Sequence, residues 1–195
     1  QMRREQLRHP AGDALGGAVE FMCLEQIRQR FGPGGIRDYA QAYGRVGAIT
    51  DDTQMTLFTA EGLIRGLVRE RHQGIAQYNT VVANAYLRWL LTQGDSNRHG
   101  LDPVGEQAGW LYMIKALHSP RAPGLTCLGA LRDTSEPGVP ASNDSKGCGG
   151  VMRVAPAGLF AQSIDESFKL GCELAALTHG HVTGWLTGGA LAVMV

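Results

Sequence analysis

The stretch Thr50-Asp51-Asp52-Thr53-Gln54-Met55-Thr56-Leu57-Phe58-Thr59-Ala60-Glu61-Gly62-Leu63-Ile64-Arg65-Gly66-Leu67-Val68-Arg69-Glu70 decides the class of fold. Met55, Phe58, Leu63, Ile64, Leu67 and Val68 recur at three- and four-residue intervals, the period of an amphipathic helix rather than of a strand. The spacing predicts a helix opening near Asp52 with one broad apolar face. Thr50, Asp51 and Asp52 stand where side-chain oxygens accept the unpaired N–H groups of a first turn.

The same period extends outward in both directions. Upstream, Leu15, Val19, Met22, Leu24 and Ile27 predict a first helix from Asp13 to about Phe31, stopped by Gly32-Pro33-Gly34-Gly35. Downstream, the run from Ile75 to Trp89 predicts a helix ending at Gly94, and a fourth is expected from about Val104 to Leu117. Pro120, Pro123, Pro137 and Pro140 exclude continuous helix from Ser119 to Lys146, so a long loop is expected there. Helices are expected again over Gly149–Phe160, Asp165–Leu177 and Val182–Val195. Strand-like alternation is scarce, and the reading is all-α.

Composition narrows the function. A chain of 195 residues with 44% hydrophobic content can build one core, so a single domain over 1–195 is expected. Eighteen basic residues balance eighteen acidic ones, which leaves no field to hold a nucleic acid. No apolar run reaches the roughly 18 residues of a membrane span. Four cysteines without the paired spacing of a zinc knuckle fit a reduced, cytoplasmic chain.

Four segments carry chemistry. Thr50-Asp51-Asp52-Thr53 places four oxygen-bearing side chains at a helix mouth, either as an ordinary cap or as ligands for a hard cation such as Mg2+, Mn2+ or Ca2+. In Gly12-Asp13-Ala14-Leu15-Gly16-Gly17 the glycines permit close approach, and Asp13 shares a helix face with Glu20; close helix packing with a capping Asp explains the segment as well. No strand precedes it, so it is not a dinucleotide fingerprint. Ser145-Lys146-Gly147-Cys148-Gly149-Gly150-Val151-Met152-Arg153 is a loop running into a helix, as a plain junction or as a cradle for phosphate. Thr178-His179-Gly180-His181 reads as a loop pair or a satisfied helix end before a metal site.

In this order, GDALGGAVEF, TDDTQM, RAPGLTCLGAL, SKGCGGVMRVAPAGL and LTHGHVTG resemble the ADP-ribosylglycohydrolase family, over nearly the whole chain. The resemblance implies a compact all-α fold and two divalent ions, Mg2+ or Mn2+, with Thr50, Asp51 and Asp52 as the first group of ligands. It further implies Glu20 as acid, base or metal-shielding residue, and catalytic parts for Asp51 and Asp52. Ser145, Gly147, Cys148 and Gly149 would then hold phosphates and distal ribose, with His179 contacting the ligand. Asp102 lies where one branch has a catalytic aspartate, although the spacing of Leu101-Asp102-Pro103-Val104-Gly105 differs.

The family's second ligand group, Asp-x-Asp-Thr, is expected beyond Val195. The chain is therefore expected to be C-terminally incomplete, with a C-terminal fragment or second chain completing the site. The implied activity removes ADP-ribose from a modified protein or a small ADP-ribosyl substrate by cutting an N- or O-glycosyl bond; the alternative is an ADP-ribose-binding module without turnover.

Overall fold

A computed structural model describes residues 8–101 and 109–195. Among the described residues there are eight α-helices, two short 3-10 turns and one two-stranded ribbon, so the fold is all-α. The chain forms two compact units, Gln1–Thr53 and Gln54–Val195.

The first unit holds α1 (Arg8–Gly16), α2 (Leu24–Phe31), the strands β1 (Gln41–Ala42) and β2 (Arg45–Val46), and the opening of α3 (Asp51–Gln73). The single helix expected from Asp13 to Phe31 is broken. The Gly17 N–H bonds back to the Asp13 carbonyl, a turn follows, and α2 starts afresh at Leu24, where the Gln26 carboxamide accepts the Cys23 N–H at 2.9 Å. The strands pair antiparallel, Gln41 with Val46 and Ala42 with Arg45. Tyr43 and Gly44 between them have φ of 45° and 79°, the two left-handed residues of a tight hairpin turn.

The second unit is built on α3 and α4 (Tyr78–Thr92). The helices cross closely: a Cβ on Gly62 would lie 2.8 Å from Val82 Cα, and one on Gly66 2.6 Å from the Tyr78 ring. Met55, Phe58 and Leu63 are buried with Val82, Tyr86 and Trp89, whereas Ile64 and Val68, expected on the same face, are exposed. Inside the crossing the Glu61 carboxylate accepts from Arg88 at 3.0 Å, and Gln54 Oε1 accepts from the Trp89 indole at 3.1 Å.

The helix expected from Val104 lies partly outside the described residues, and its described remainder is not α-helical. Leu111 donates its backbone N–H to Glu61 at 2.9 Å, and Gly109 takes φ 75°, leaving only a 3-10 turn at Lys115–Leu117. The expected loop from Ser119 to Lys146 contains a helix, α5 (Leu125–Asp133). Its prolines lie outside that span, so no proline interrupts it, and Cys127 and Leu131 bury an i, i+4 face. The expected helix over Gly149–Phe160 divides into a 3-10 turn, Val151–Arg153, and α6 (Ala155–Phe160), which carries Pro156 in its first turn. Next come α7 (Ile164–Ala176) and α8 (Val182–Met194), close to expectation. They cross over glycine: a Cβ on Gly171 would sit 2.8 Å from the Gly188 carbonyl. Among the described residues no helix is long and apolar enough to cross a membrane.

Candidate functional site

The mouth of α3 is held by Asp13. Its carboxylate accepts the Thr50 N–H at 2.9 Å, the Thr50 hydroxyl at 2.7 Å and the Thr53 hydroxyl. Thr50 in turn accepts the Asp52 N–H at 3.3 Å, which is the expected cap. Thr50, Asp51 and Thr53 are buried, and Asp52 is half-buried. The three hydrogen bonds to Asp13 were not legible locally, since they join residues 37 and 40 positions apart. The packing explains Gly17, where a Cβ would meet Thr50 Cγ2 at 2.9 Å; Gly12 and Gly16, expected to admit a close neighbour, have open space instead.

Glu20 stands in the turn after α1, so it does not share a continuous helix face with Asp13 as expected. The two carboxylates nevertheless interact. Partial burial, then the charges of Asp52 and Asp13, push the Glu20 carboxyl above its ordinary range. Burial and then the negative charges of Glu20, Asp51 and Asp13 push the Tyr43 phenol up as well. One small space thus gathers several negative charges. Hard oxygens from Thr50, Asp51 and Asp52 suit Mg2+ or Mn2+ in kind. They fall short in number, and among the described residues no three of His, Cys, Asp or Glu group closely enough to hold an ion.

The second unit contains the glycine-rich loop. Thr126 and Ser145 share a hydroxyl hydrogen bond at 3.2 Å, and the Gly147 N–H donates to Ser145 Oγ at 3.3 Å. Asn143, which the sequence did not single out, staples the loop to the Thr178–His181 turn. Its Oδ1 accepts the N–H groups of Ser145 and Gly180, and its amide donates to the Thr178 carbonyl. Lys146, Gly147 and Cys148 are exposed above a buried His179. A Cβ on Gly149 would lie 2.6 Å from Cys127 Sγ and 3.0 Å from His179 Cε1, so this glycine is required by close approach. Beside Ser145 a groove of about 460 Å³ is lined by Thr126, Ala130, Thr134, Ser142 and Asn143.

Expected help from a helix dipole behind this loop is small, because a three-residue 3-10 turn and the six-residue α6 follow it. The charge behind the loop belongs to Arg153, fully buried, which lies in the Ser145–Arg153 segment and carries no role in the sequence reading. Its Nη2 donates to the Leu174 carbonyl at 3.0 Å and to the Thr178 hydroxyl at 2.7 Å. Its Nη1 lies 3.5 Å from Cys127 Sγ, and its guanidinium sits 4.3 Å from the centre of the Tyr86 ring. An arginine inside Val151-Met152-Arg153-Val154-Ala155 was the available signal, since a cation in an apolar run is costly to bury without partners. Burial, then the Arg153 charge, pushes His179 down to about 4, so its imidazole is neutral at pH 7. Asp102 lies outside the described residues.

An all-α chain with an acidic helix mouth and a glycine-rich loop over a neutral histidine defines a recognisable class. The sequence model of the family described as ADP-ribosylglycohydrolase matches residues 10–195, and the chain belongs to that family. An uncharacterised protein from Archaeoglobus fulgidus is 31% identical over 192 residues, covering 94% of this chain and 50% of that protein. The chain spans about half the length of this curated relative. No solved structure matches it.

Proposed function

We propose that the chain serves a metal-dependent hydrolase that releases ADP-ribose from a modified protein side chain or a related ADP-ribosyl substrate. The observation that carries this reading is the pairing of family membership with the acidic mouth of α3, where Asp13 holds Thr50 and the charges of Asp52 and Asp13 act on Glu20. Water adds at C1″ of the ribose, the bond from C1″ to the acceptor nitrogen or oxygen breaks, and a proton reaches the leaving atom.

In this reading Thr50, Asp51 and Asp52 hold Mg2+ or Mn2+, which when bound would lower the pKa of water and stabilise developing charge. Asp13 fixes the Thr50 hydroxyl so that its oxygen keeps one orientation. Glu20, its proton affinity raised by burial and by like charge, is suited to take a proton from water or deliver one to the leaving atom. Ser145, Gly147, Cys148 and Gly149 receive the phosphates and distal ribose, with His179 beneath them.

A second reading, an ADP-ribose-binding module without turnover, is favoured by one observation: the described residues contain no complete metal-ligand group. The two separate in one experiment. An ADP-ribosylated protein is incubated with the chain and either Mg2+ or Mn2+, and ADP-ribose affinity is measured by calorimetry in parallel. Release of ADP-ribose supports the hydrolase, affinity without release supports the module, and the absence of both would sink both.

A further inference from the structure

The protons around His179 can be placed by counting donors and acceptors. The Thr178 hydroxyl is fully buried and meets Arg153 Nη2 at 2.7 Å and His179 Nδ1 at 2.8 Å. A guanidinium only donates, so the hydroxyl oxygen accepts from Arg153. The hydroxyl oxygen has a second lone pair that an Nδ1–H could also use, but the hydroxyl's own proton would then be buried without an acceptor, so the hydroxyl donates to His179 Nδ1. A neutral imidazole with Nδ1 unprotonated carries its proton on Nε2. Protonating Nδ1 as well would leave the buried hydroxyl proton without an acceptor and add a cation near the buried guanidinium.

The other edge of the ring faces the loop. A Cβ built on Gly147 would lie 3.3 Å from His179 Nε2, and one on Gly149 3.4 Å from it. Gly147 itself is exposed, so this edge lies beneath a surface a ligand can reach. We propose that Arg153 and Thr178 are positioning residues that hold His179 as its neutral Nε2–H tautomer, a fixed N–H donor toward an anionic group seated on the Gly147–Gly149 turn. So arranged, His179 is neither a base nor a metal ligand on that edge, because its Nε2 lone pair is occupied by a proton. Naming the anion as a phosphate of ADP-ribose rests on the function proposed above; the tautomer does not.

Long-range proton–nitrogen NMR on the uniformly 15N-labelled full chain reads the tautomer directly, with the His179 signals assigned by their loss in His179→Gln. The expected spectrum at pH 7 has a pyridine-type Nδ1 and a pyrrole-type Nε2 in the unmodified protein and in Thr178→Ser. Thr178→Val and Arg153→Met should give mixed tautomers. Titration with ADP-ribose should shift the Nε2 proton, and Thr178→Val should weaken binding about tenfold, the worth of one aligned hydrogen bond, with Thr178→Ser restoring it.

A pyrrole-type Nδ1 in the unmodified protein overturns the proposal, and that spectrum decides even if the valine and methionine variants fail to fold. ADP-ribose that binds without moving the His179 signals overturns the donor role. If the Nε2–H tautomer is present and ADP-ribose does not bind, naming the anion as a phosphate of ADP-ribose fails and the tautomer stands. Inorganic pyrophosphate then serves as the probe: a shifted Nε2 proton keeps the donor role, and an unmoved one overturns it.

Discussion

The mouth of α3 and the glycine-rich loop solve opposite problems. At the mouth, Asp13, Glu20, Asp51 and Asp52 bring like charges near one another, and burial, with that like charge added to it, raises the proton affinity of Glu20 and Tyr43. At the loop the groups facing the glycines are neutral, and position is fixed by contact: Gly149 against Cys127 and His179, and Gly184 with room for no Cβ beside the Ser145 carbonyl at 2.7 Å. The first region should therefore respond to charge and barely to volume, and the second to volume and to the protonation of one buried imidazole.

The largest expected effect tests charge at the mouth. Asp51→Asn with Asp52→Asn keeps shape and removes two negative charges, and should cut ADP-ribose release by about a thousandfold on the scale of lost acid–base and metal chemistry. The helical circular dichroism signal should persist, because Thr50 still caps the helix and losing even a full cap costs only about 1 kcal/mol. Unchanged turnover would remove the mouth from the chemistry.

Next in size is a pH effect at the loop. His179 falls from its ordinary 6.5 to about 4 in the folded chain, so below pH 6.5 the unfolded chain binds a proton that the folded chain resists. Stability from this group is complete above pH 6.5 and is lost as pH falls through about 4. At roughly 1.4 kcal/mol per unit the total is about 3 kcal/mol. Urea unfolding at pH 7 and pH 5 should show a loss that His179→Gln lacks; equal losses in both proteins would mean that the imidazole charges freely.

The difference between the regions also explains what could be read from the sequence. Thr50-Asp51-Asp52 announces itself because capping and ion binding both use adjacent oxygens, and the α3 pattern fixes its helix. Asp13 was legible as a residue, but its grip on Thr50 and Thr53 was not, since no local period encodes pairing across 37 positions. Around the loop the quoted motif supplied the glycines and His179. Arg153, Cys127 and Asn143 stayed hidden because their roles arise from α5, α7 and the Thr178 turn meeting in space. The break at Gly17 and the helix at Leu125–Asp133 escaped for a related reason: apolar spacing alone did not reveal the local stops and starts set by tertiary contacts.

Volume is the sharper probe of the loop. Gly149→Ala puts a methyl within 2.6 Å of Cys127 Sγ and 3.0 Å of His179 Cε1, and overpacking of this kind costs about 1–3 kcal/mol. A lowered melting temperature is expected, and Cys127→Ala in the same chain should recover part of it by removing the sulfur. No recovery in the double variant would place the strain on His179 instead.

The smallest expected effect separates two adjacent glycines and refines the comparison at the mouth, where volume should matter at one point only. Gly16 ends α1, and a Cβ there meets nothing within 4 Å, so Gly16→Ala should stabilise by about 0.5 kcal/mol through helix propensity and a less flexible unfolded chain. Gly17 is the exception: its Cβ would meet Thr50 Cγ2 at 2.9 Å and the Asp13 carbonyl at 3.3 Å, so Gly17→Ala should destabilise by about 1 kcal/mol. The second change also pushes on the residue whose hydroxyl Asp13 orients, so it should lower the affinity for Mn2+ while Gly16→Ala leaves it unchanged. Paired thermal melts and Mn2+ titrations on the two variants check this. A common sign in the melts would mean that the turn relaxes around either methyl, and equal Mn2+ affinity would mean that the placement of Thr50 does not govern the ion.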